Sequence, residues 1–236
     1  MNIALLGSGK TGSEVANAAT LRPNARVTVF NTSYPADLSS LAGHDVVISF
    51  LPGDAFLAHI PLLIDSRLPV VCGSTGFTFP GGLDAFSQRI READLRWIYA
   101  SNFSLGMHLV RELLPILGLA ADLMPDVRYG MRETHHIHKK DAPSGTALSW
   151  RSDLGQEVDI ASERVGDVVG DHELVLTTGT ERITLRHEAL NRRIFAEGAL
   201  QAAEWILNPS IVREPGLHAF HQVIRQTLST QRHNES

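Results

Sequence analysis

The segment from Arg132 to Trp150, RETHHIHKKDAPSGTALSW, combines side chains that transfer protons with groups that bind anions. Histidines occupy positions 135, 136 and 138, and lysines follow at positions 139 and 140. An imidazole exchanges protons near neutral pH, and an ammonium group is a compact positive charge. Three kinds of site could use such a segment: a nucleic-acid surface, a metal centre, or an enzyme pocket for an anionic substrate.

The composition of the whole chain bears on this choice. Its 236 residues carry a formal net charge of −5, and no aromatic residues interleave the basic stretch, which disfavours a polyanion-binding surface. His136 and His138 could share one face of a strand, but no cysteine ligands and no HExxH pattern complete a zinc site, so we predict no metal. Acid–base catalysis beside a bound anion is the favoured interpretation.

The second half of the segment has the features of a helix N-terminus. Pro143 suits the first turn of a helix, and Asp141 could cap it. Ser144, Gly145 and Thr146 would then present hydroxyl groups and backbone N–H groups to a carboxylate or a phosphate. The segment is therefore expected to join a proton donor to an anion-binding site.

A second chemical pattern, G-x-G-x-x-G, lies near the start of the chain. It is formed by Gly7, Ser8, Gly9, Lys10, Thr11 and Gly12. Between a strand and a helix, the three glycines of this pattern allow a tight turn, close approach of a pyrophosphate and close helix–strand packing. The N–H groups at the helix N-terminus then face the phosphates. We predict a dinucleotide site here rather than an ordinary strand–helix turn.

Polar loops after three further predicted strands would complete the cofactor site. Asn31 and Thr32 follow the second strand, where an acid would select NAD and an arginine would select NADP. Their neutral side chains favour NADPH and leave the use of NADH open. The other two loops contain Gly73, Ser74 and Thr75, and Ala100, Ser101, Asn102 and Phe103. Open α/β sheets bind ligands at the carboxyl ends of their strands, so these loops are expected to line a nicotinamide pocket.

The hydrophobic pattern predicts the elements that position these residues. In the first third of the chain, short apolar runs alternate with helical patterns, which indicates an open, mostly parallel, doubly wound sheet. The predicted strands are Ile3–Gly7, Arg26–Phe30, Asp45–Leu51, Pro69–Gly73 and Leu95–Ala100. The middle of the chain reads as α+β, with a helix over 106–123, strands over 126–135, 173–178 and 181–188, a surface loop over 162–173 and a helix over 195–207. A short helix over 215–228 follows.

Cysteine content and hydropathy bear on the cellular compartment. The single cysteine, Cys72, excludes an internal disulfide and is expected to be a buried small side chain. No apolar run approaches the length of about 18 residues that a membrane span needs. The first residues, MNIALLGSG, enter a strand without the pattern of a signal peptide. A cytoplasmic protein is expected.

The central segment resembles the signature of the 4-hydroxy-tetrahydrodipicolinate reductases, also called dihydrodipicolinate reductases. Its residues ETHHIHKKDAPSGTA match every fixed position of the family pattern E-x-H-H-x-x-K-x-D-A-P-S-G-T-A. The resemblance extends to the glycine loop, to GSTGF and ASNFSLGMHL, and to HEALNRRIFAEGALQAAEWI and PGLHAF further along the chain. It covers nearly the whole sequence, and the long central motif is highly specific.

The resemblance implies an NAD(P)H-dependent oxidoreductase that reduces a cyclic dicarboxylate in lysine and diaminopimelate biosynthesis. His135 would be the catalytic acid–base and Lys139 a second proton donor. The substrate would be bound by His136, Ser144, Gly145 and Thr146.

The resemblance also implies an α/β fold with two domains and assembly into a homotetramer. A Rossmann-like, doubly wound parallel sheet would form the dinucleotide-binding domain over residues 1–104 and 212–236. A second, α+β domain over 105–211 would bind the substrate and form the oligomer. Two alternatives stay open: a related reductase of another imino or keto acid, and a catalytically silent dinucleotide sensor. The sensor would be expected to lose His135 or Lys139, and both are present.

Overall fold

The structure, a computed structural model, describes residues 1–234, with side chains as far as Ser229. Its strands are β1 (Asn2–Leu6), β2 (Arg26–Phe30), β3 (Val46–Ser49), β4 (Val70–Cys72), β5 (Arg96–Tyr99), β6 (Arg128–His135), β7 (Ile160–Arg164), β8 (Gly170–Thr177), β9 (Arg182–Ala189) and β10 (Gly216–Ala219). Its helices are α1 (Lys10–Ala19), α2 (Leu38–Leu41), α3 (Gly53–Asp65), α4 (Gly82–Glu92), α5 (Leu105–Gly118), α6 (Ala120–Leu123), α7 (Gly145–Leu154), α8 (Arg193–Leu207) and α9 (Phe220–Asn234). None of the helices within 1–234 is long and apolar enough to cross a membrane.

The chain divides into two compact units. The first consists of residues 1–103 and the chain from Arg193 onward, and the second is Ser104–Arg192. Residues 235 and 236, which end the expected dinucleotide-binding domain, lie outside the described residues.

The first unit is built on a six-stranded sheet in the order β10-β5-β4-β3-β1-β2, in which all neighbouring strands are parallel. The strands β3 and β4 are buried along their whole length, as expected for short apolar runs covered on both faces. Leu6, Val47, Phe56 and Trp97 belong to its buried core. The predicted doubly wound parallel sheet is confirmed.

The chain returns from the second unit to the first earlier than expected from the sequence. The family resemblance implied a second domain up to residue 211, whereas α8 belongs to the first unit, where it packs against α1 and the strands β3, β4 and β5. Ala196, Ala199, Leu200 and Ala203 form its buried face. A Cβ on Gly198 would lie 1.7 Å from the carbonyl oxygen of Phe103, so α8 packs directly on the loop after β5. The two compact units thus divide at 192/193, whereas the expected domain boundary was 211/212.

The segment predicted as a helix over 215–228 begins as a strand. Gly216–Ala219 forms β10, which pairs in parallel with Arg96–Tyr99 at the edge of the sheet, and α9 starts only at Phe220. A four-residue strand with one large apolar side chain carries no alternation of its own. Its place is set by backbone hydrogen bonds to β5, which a local pattern does not contain.

The second unit is a four-stranded sheet in the order β7-β6-β8-β9. β6 and β7 are parallel, and the other two pairs are antiparallel. One face of the sheet packs against α5 and α7 around Met107, Leu114, Trp150 and Leu174. The predicted α+β character is confirmed.

Two local predictions in this unit need correction. The expected surface loop over 162–173 contains the end of β7 and the start of β8. The sequence did not predict β7 because its residues, Ile-Ala-Ser-Glu-Arg, contain no apolar run. The expected long helix over 106–123 divides into α5 and α6. A Cβ on Gly118 would lie 2.0 Å from the carbonyl oxygen of Leu154, so the end of α5 packs closely on the end of α7.

Candidate active site

The glycine loop joins β1 to α1 at the carboxyl end of the first sheet. Gly7 has φ of +104°, a conformation that strains any residue with a side chain. A Cβ on Gly12 would lie 2.0 Å from the carbonyl oxygen of Gly7, so the first turn of α1 can pack this close only with glycine. A Cβ on Gly9 would meet nothing within 4 Å. The backbone at the start of α1 therefore faces open space, where a ligand can approach it.

A cleft of about 490 Å³ opens beside this loop. It is lined by Gly7, Ser8, Gly9, Lys10, Thr11, Asn31, Thr32, Phe50, Leu51, Pro52, Gly73 and Thr75. The first N–H groups of α1 have no partner within the helix, and its first turn carries no acidic residue that would repel an anion. The cleft therefore fits an elongated, phosphorylated ligand such as a dinucleotide.

Three predicted cofactor residues are buried instead of lining the cleft. Gly12 supports the turn, as described above. Ser74 is 7% exposed, and its hydroxyl lies 3.0 Å from that of Ser49 inside the sheet. The Phe103 ring is 1% exposed and packs against the rings of Phe50 and Phe220. The Ser74 and Phe103 side chains hold their loops in place from within the core, and the contacts of these two residues with the cofactor stay a prediction.

The loop after β5 lies at the carboxyl edge of the sheet but outside the lining of the cleft. It contains Ala100 and Asn102, which are half-buried, and Ser101, which is exposed. By contrast, the loop after β3, with Phe50, Leu51 and Pro52, lines the cleft and was not predicted. A Cβ on Gly73 would lie 2.3 Å from the Phe50 ring, so the ring fits there only because residue 73 has no side chain. The signal available was the position of Phe50 directly after a buried strand.

Asn31 shapes the rim of the cleft at the end of β2. Its side-chain oxygen accepts hydrogen bonds from the N–H groups of Ser33 at 2.9 Å and Tyr34 at 3.0 Å, which closes a tight turn. Thr32 is exposed beside it. The rim carries neither a carboxylate to repel a phosphate nor an arginine to bind one.

In the second unit, strand alternation turns two ionisable residues of β6 toward the protein interior. Glu133 is fully buried and His135 is 7% exposed. His135 Nδ1 lies 3.1 Å from Glu133 Oε2. Directly opposite Glu133 on β8 is His172, whose Nε2 lies 3.8 Å from the same oxygen and whose ring centre is 5.0 Å from that of His135.

The other carboxylate oxygen of Glu133 links two further parts of the unit. Oε1 accepts hydrogen bonds from the backbone N–H of Ser144 at 3.1 Å and from the guanidinium of Arg164 at 3.0 Å. Burial raises the pKa of Glu133, but these hydrogen bonds outweigh it, so the pKa lies below its ordinary value. Glu133 is therefore an ionised carboxylate inside the protein.

Lys139 lies on the loop that follows β6. Its ammonium group contacts both carboxylate oxygens of Asp141, at 2.8 and 2.9 Å. Arg164 holds the same loop, because its guanidinium donates to the carbonyl oxygens of Lys139 and Asp141. Burial raises the pKa of Asp141, but Lys139 and the N–H of Gly145 lower it by more. Lys139 is thus a half-buried cation paired with a loop carboxylate.

The helix α7 begins at Gly145 with Ser144, not Asp141, as its N-cap. The Ser144 hydroxyl accepts from the N–H of Ala147 at 3.1 Å and lies 3.3 Å from His172 Nε2. Ser144 is 2% exposed and its hydroxyl caps the helix, so it has a structural role, and its contact with the substrate stays a prediction. Gly145 is exposed and Thr146 half-buried, and the N–H of Gly145 interacts with the Asp141 carboxylate, so the first turn of α7 already faces an anionic group. Pro143 precedes the helix instead of opening it.

Two histidines of the site have pKa values below the ordinary one. Burial lowers the pKa of His135; Glu133 acts in the opposite direction, and the charges of Lys139 and Arg164 lower it further. Burial, together with His135, lowers the pKa of His172 to about 4. His172 is therefore neutral at pH 7. His136 is half-buried on the same loop, and its ring centre lies 6.2 Å from that of the exposed His138.

Glu133, His135 and His172 offer ligand atoms within 4.8 Å of one another, a spacing that could hold a metal ion. The carboxylate, however, already accepts from Arg164 and from the Ser144 backbone, and a guanidinium 3.0 Å away opposes a second cation. The Oε1 oxygen of Glu133 is therefore already hydrogen-bonded, while its Oε2 oxygen faces the two imidazole rings.

Glu133, Arg164 and His172 were not singled out from the sequence. Glu133 stands two residues before His135 on a strand, a spacing that places both on one face. That signal could have identified the carboxylate. The contacts of Arg164 and His172 depend on the pairing of β6 with β7 and β8, which has no local signature.

Comparisons with known proteins agree along the whole chain. The family described as "Dihydrodipicolinate reductase, N-terminus" matches residues 1–103, and its C-terminal counterpart matches residues 106–224. A 4-hydroxy-tetrahydrodipicolinate reductase of Bdellovibrio bacteriovorus is 31% identical over 233 residues, which cover 95% of this chain and 96% of its own. The enzyme of the same name from Methanospirillum hungatei is 32% identical over 219 residues, with coverage of 84% and 82%.

Solved structures share the fold. A dipicolinate-bound dihydrodipicolinate reductase from Paenisporosarcina sp. TG-14 superposes with a TM-score of 0.73 at 24% identity, covering 93% of this chain and 97% of its own. A DAP dehydrogenase of C. glutamicum has a TM-score of 0.55 at 11% identity, with coverage of 94% and 93%. Given the matches of both family halves to this sequence, the chain belongs to the dihydrodipicolinate reductase family.

Proposed function

We propose how this chain performs the reaction of its family, the reduction of 4-hydroxy-tetrahydrodipicolinate by NAD(P)H in lysine and diaminopimelate biosynthesis. One observation carries the proposal. The second unit places a buried imidazole, a half-buried ammonium group and an exposed helix N-terminus within a dozen residues along the chain. These are a proton donor, a cation and an anion-binding site, which the reduction of a cyclic dicarboxylate requires.

The first unit holds the cofactor in the cleft beside the glycine loop. The N–H groups of Ser8 to Thr11 bind the pyrophosphate, and Gly9 leaves it room to approach. Gly73 and Thr75, with Ala100, Ser101 and Asn102 on the next loop, face the nicotinamide end. Bound NAD(P)H supplies the hydride.

The second unit holds the substrate by its carboxylates. The N–H groups of Gly145 and Thr146 bind one carboxylate, and His136 contacts the substrate beside it. Lys139 neutralises the negative charge, for which its ammonium group must exchange Asp141 for the substrate. Asp141 thereby holds the ammonium group in place until a carboxylate of the substrate replaces it.

His135 donates the proton that balances the charge of the reduction, with Lys139 as the second donor. A lowered pKa makes the imidazolium a stronger acid, and the negative charge of a bound dicarboxylate would raise that pKa again. Substrate binding therefore favours the protonated histidine at the moment when a proton is needed. Proton transfer of this kind contributes roughly 10²- to 10⁴-fold in rate.

Initial rates of NADPH oxidation with freshly prepared 4-hydroxy-tetrahydrodipicolinate test these roles. His135→Gln and Lys139→Ala should each lower kcat/KM by roughly 100-fold or more. The matched variants His138→Gln and Lys140→Ala change exposed residues of the same loop and should stay within about twofold of the unsubstituted chain. Cofactor binding without turnover would favour a dinucleotide sensor. Turnover of another imino or keto acid in place of this substrate would favour a related reductase.

The neutral rim at Asn31 and Thr32 leads us to propose a preference for NADPH with activity for both nicotinamides. The absence of a carboxylate at this point of the rim removes the group that would repel a 2′-phosphate. Initial rates with NADH and NADPH at matched concentrations measure the preference. An efficiency about tenfold higher with NADH, equivalent to roughly 1.4 kcal/mol, would contradict it.

We further propose that the protein is a cytoplasmic homotetramer. Support for the assembly comes from the family resemblance. Sedimentation equilibrium should give a mass about four times the 25.8 kDa of one chain. A monomer over the micromolar range would contradict the assembly.

A further inference from the structure

Glu133 connects the parts of the second unit to which the proposed reaction assigns different tasks. We infer that Glu133 is a positioning residue that fixes the tautomer and the orientation of His135. The inference rests on the proposed role of His135 as the proton donor, and it assigns to Glu133 a function that the substrate and cofactor contacts do not include.

The contact between the two side chains determines which ring nitrogen carries a hydrogen. Glu133 Oε2 and His135 Nδ1 are 3.1 Å apart, and neither atom has another hydrogen-bond partner among the described residues. The distance, though not the alignment, is that of a hydrogen bond, and catalytic contacts often align only when substrate binds. An ionised carboxylate can only accept, so Nδ1 keeps its hydrogen and Nε2 is left to exchange a proton with the substrate.

The same carboxylate fixes where the imidazole lies relative to the rest of the site. Its other oxygen accepts from the N–H of Ser144, the cap of α7, and from Arg164 on β7. Arg164 in turn donates to the carbonyl oxygens of Lys139 and Asp141. Glu133 is thus one buried group that contacts three parts of the site. These are His135, the loop that carries Lys139 (through Arg164), and the start of α7.

Electrostatics give the carboxylate a second effect on His135. The groups that face the imidazole are Glu133 on its own strand, Arg164 on β7, the buried neutral His172 on β8, and Lys139 and Asp141 on the loop. Glu133 and Asp141 favour the imidazolium, whereas Lys139 and Arg164 oppose it. Loss of the Glu133 charge would leave the two cations with only Asp141 to oppose them, so the protonated histidine would become less populated.

The substitution Glu133→Gln tests the inference because an amide keeps the size of the side chain. Its oxygen can still accept from Ser144, while its NH₂ group donates to His135 Nδ1 and so favours the opposite tautomer. We expect kcat to fall roughly 100-fold or more, as loss of the orienting acid does in other acid–histidine pairs. The limb of the pH–rate profile that needs the imidazolium should move to lower pH by about one unit.

The matched control is Glu163→Gln on β7, which removes the same charge from an exposed carboxylate that contacts Arg132 and Thr134. Its kcat and pH profile should stay close to those of the unsubstituted chain. In Glu133→Gln no ligand contact is lost. The dissociation constants of NADPH and dipicolinate should therefore change by less than about threefold. Loss of dipicolinate binding in proportion to kcat, or a kcat within about threefold of the unsubstituted value, would overturn the inference.

A spectroscopic measurement on the unsubstituted protein keeps the inference testable if Glu133→Gln fails to fold. In a sample with ¹⁵N-labelled histidine at neutral pH, His135 should carry its hydrogen on Nδ1, and a hydrogen on Nε2 would overturn the inference. The measurement needs no turnover. A failed inference with normal turnover would leave the role of His135 intact, whereas absence of turnover in the unsubstituted chain would instead defeat the proposed function.

Discussion

His172 is a neutral histidine held among charged groups at the centre of the second unit. It is 4% exposed, lies opposite Glu133 on the neighbouring strand, and packs against the Trp150 ring at 5.6 Å between ring centres. Burial is the largest cause that lowers its pKa to about 4. In an unfolded chain the same imidazole titrates near its ordinary value of about 6.5. Between these two values the unfolded state binds the additional proton.

We therefore predict that His172 makes the protein acid-sensitive. Its contribution to the free energy of unfolding is fully present above about pH 6.5 and is lost as the pH falls to about 4, with a total on the order of 3 kcal/mol. Urea unfolding at a series of pH values across this window measures the effect. The variant His172→Gln, which cannot be protonated, should lose less stability on acidification. Parallel pH dependence in the two proteins would contradict the prediction, since both retain all the carboxylates.

At the scale of single residues, the sequence indicates which side chains could take part in chemistry but not which side chains contact one another. His135 and Lys139 were identified because their types and spacing match a family signature. Arg164 and His172 were not, because their positions beside Glu133 follow from the register of β6 with two strands that come later in the chain. The cap of α7 was assigned to Asp141 instead of Ser144, because a hydroxyl at a helix start can either bind a ligand or cap the helix, and the sequence alone does not decide between them.

The glycine loop and α1 illustrate how one element uses the same residue type for two different purposes. Gly12 removes a collision between α1 and the end of β1, whereas Gly9 leaves space on the side of the cleft. The two substitutions to alanine should therefore fail in different ways.

We predict that Gly12→Ala destabilises the fold and that Gly9→Ala weakens only cofactor binding. A Cβ 2.0 Å from a carbonyl oxygen forces α1 away from β1, at a cost of about 1–3 kcal/mol or more. The Cβ of Gly9→Ala meets no protein atom but occupies the approach to the pyrophosphate, and should raise the Kd of NADPH about tenfold or more. Thermal unfolding and NADPH titration separate the two effects. A stable Gly12→Ala protein, or normal NADPH affinity in Gly9→Ala, would contradict this account.

Among whole elements, the predictable ones are those with their own hydrophobic period. The strands β1 to β5 were each placed within one or two residues because they are apolar runs between glycine-rich or polar turns. The strands β7 and β10 were missed because β7 is polar and β10 has a single large apolar side chain. Both are edge strands, so their pairing comes from a neighbour on one side only.

For the whole molecule, the chain divides so that the two predicted ligand sites draw on different units. The glycine loop and the β2 rim belong to the first unit, whereas Lys139 and the start of α7 belong to the second. The first unit also takes in α8, which makes the dinucleotide-binding part larger than the sequence pattern indicated.

We predict that the two ligands protect different parts of the chain from hydrogen exchange. NADPH should slow amide exchange at the start of α1, because it binds the N–H groups there, and at the end of β2, because it covers that rim of the cleft. Dipicolinate, a dicarboxylate, should slow exchange over residues 139–146 at the end of the loop and the start of α7. Exchange with each ligand alone, followed by peptide analysis, measures both patterns. Protection by dipicolinate confined to the first unit would contradict the assignment of the substrate site.

Cys72 lies within β4 at 1% exposure, and burial raises the pKa of its thiol to about 12. Since only a thiolate reacts with alkylating agents or peroxide, the folded enzyme should tolerate oxidants and iodoacetamide without loss of activity. Because this is the single sulfhydryl of the chain, each alkylated molecule records one opening of the central sheet. The rate at which Cys72 is alkylated, measured by mass spectrometry, should therefore report how often the folded state opens, with no label introduced.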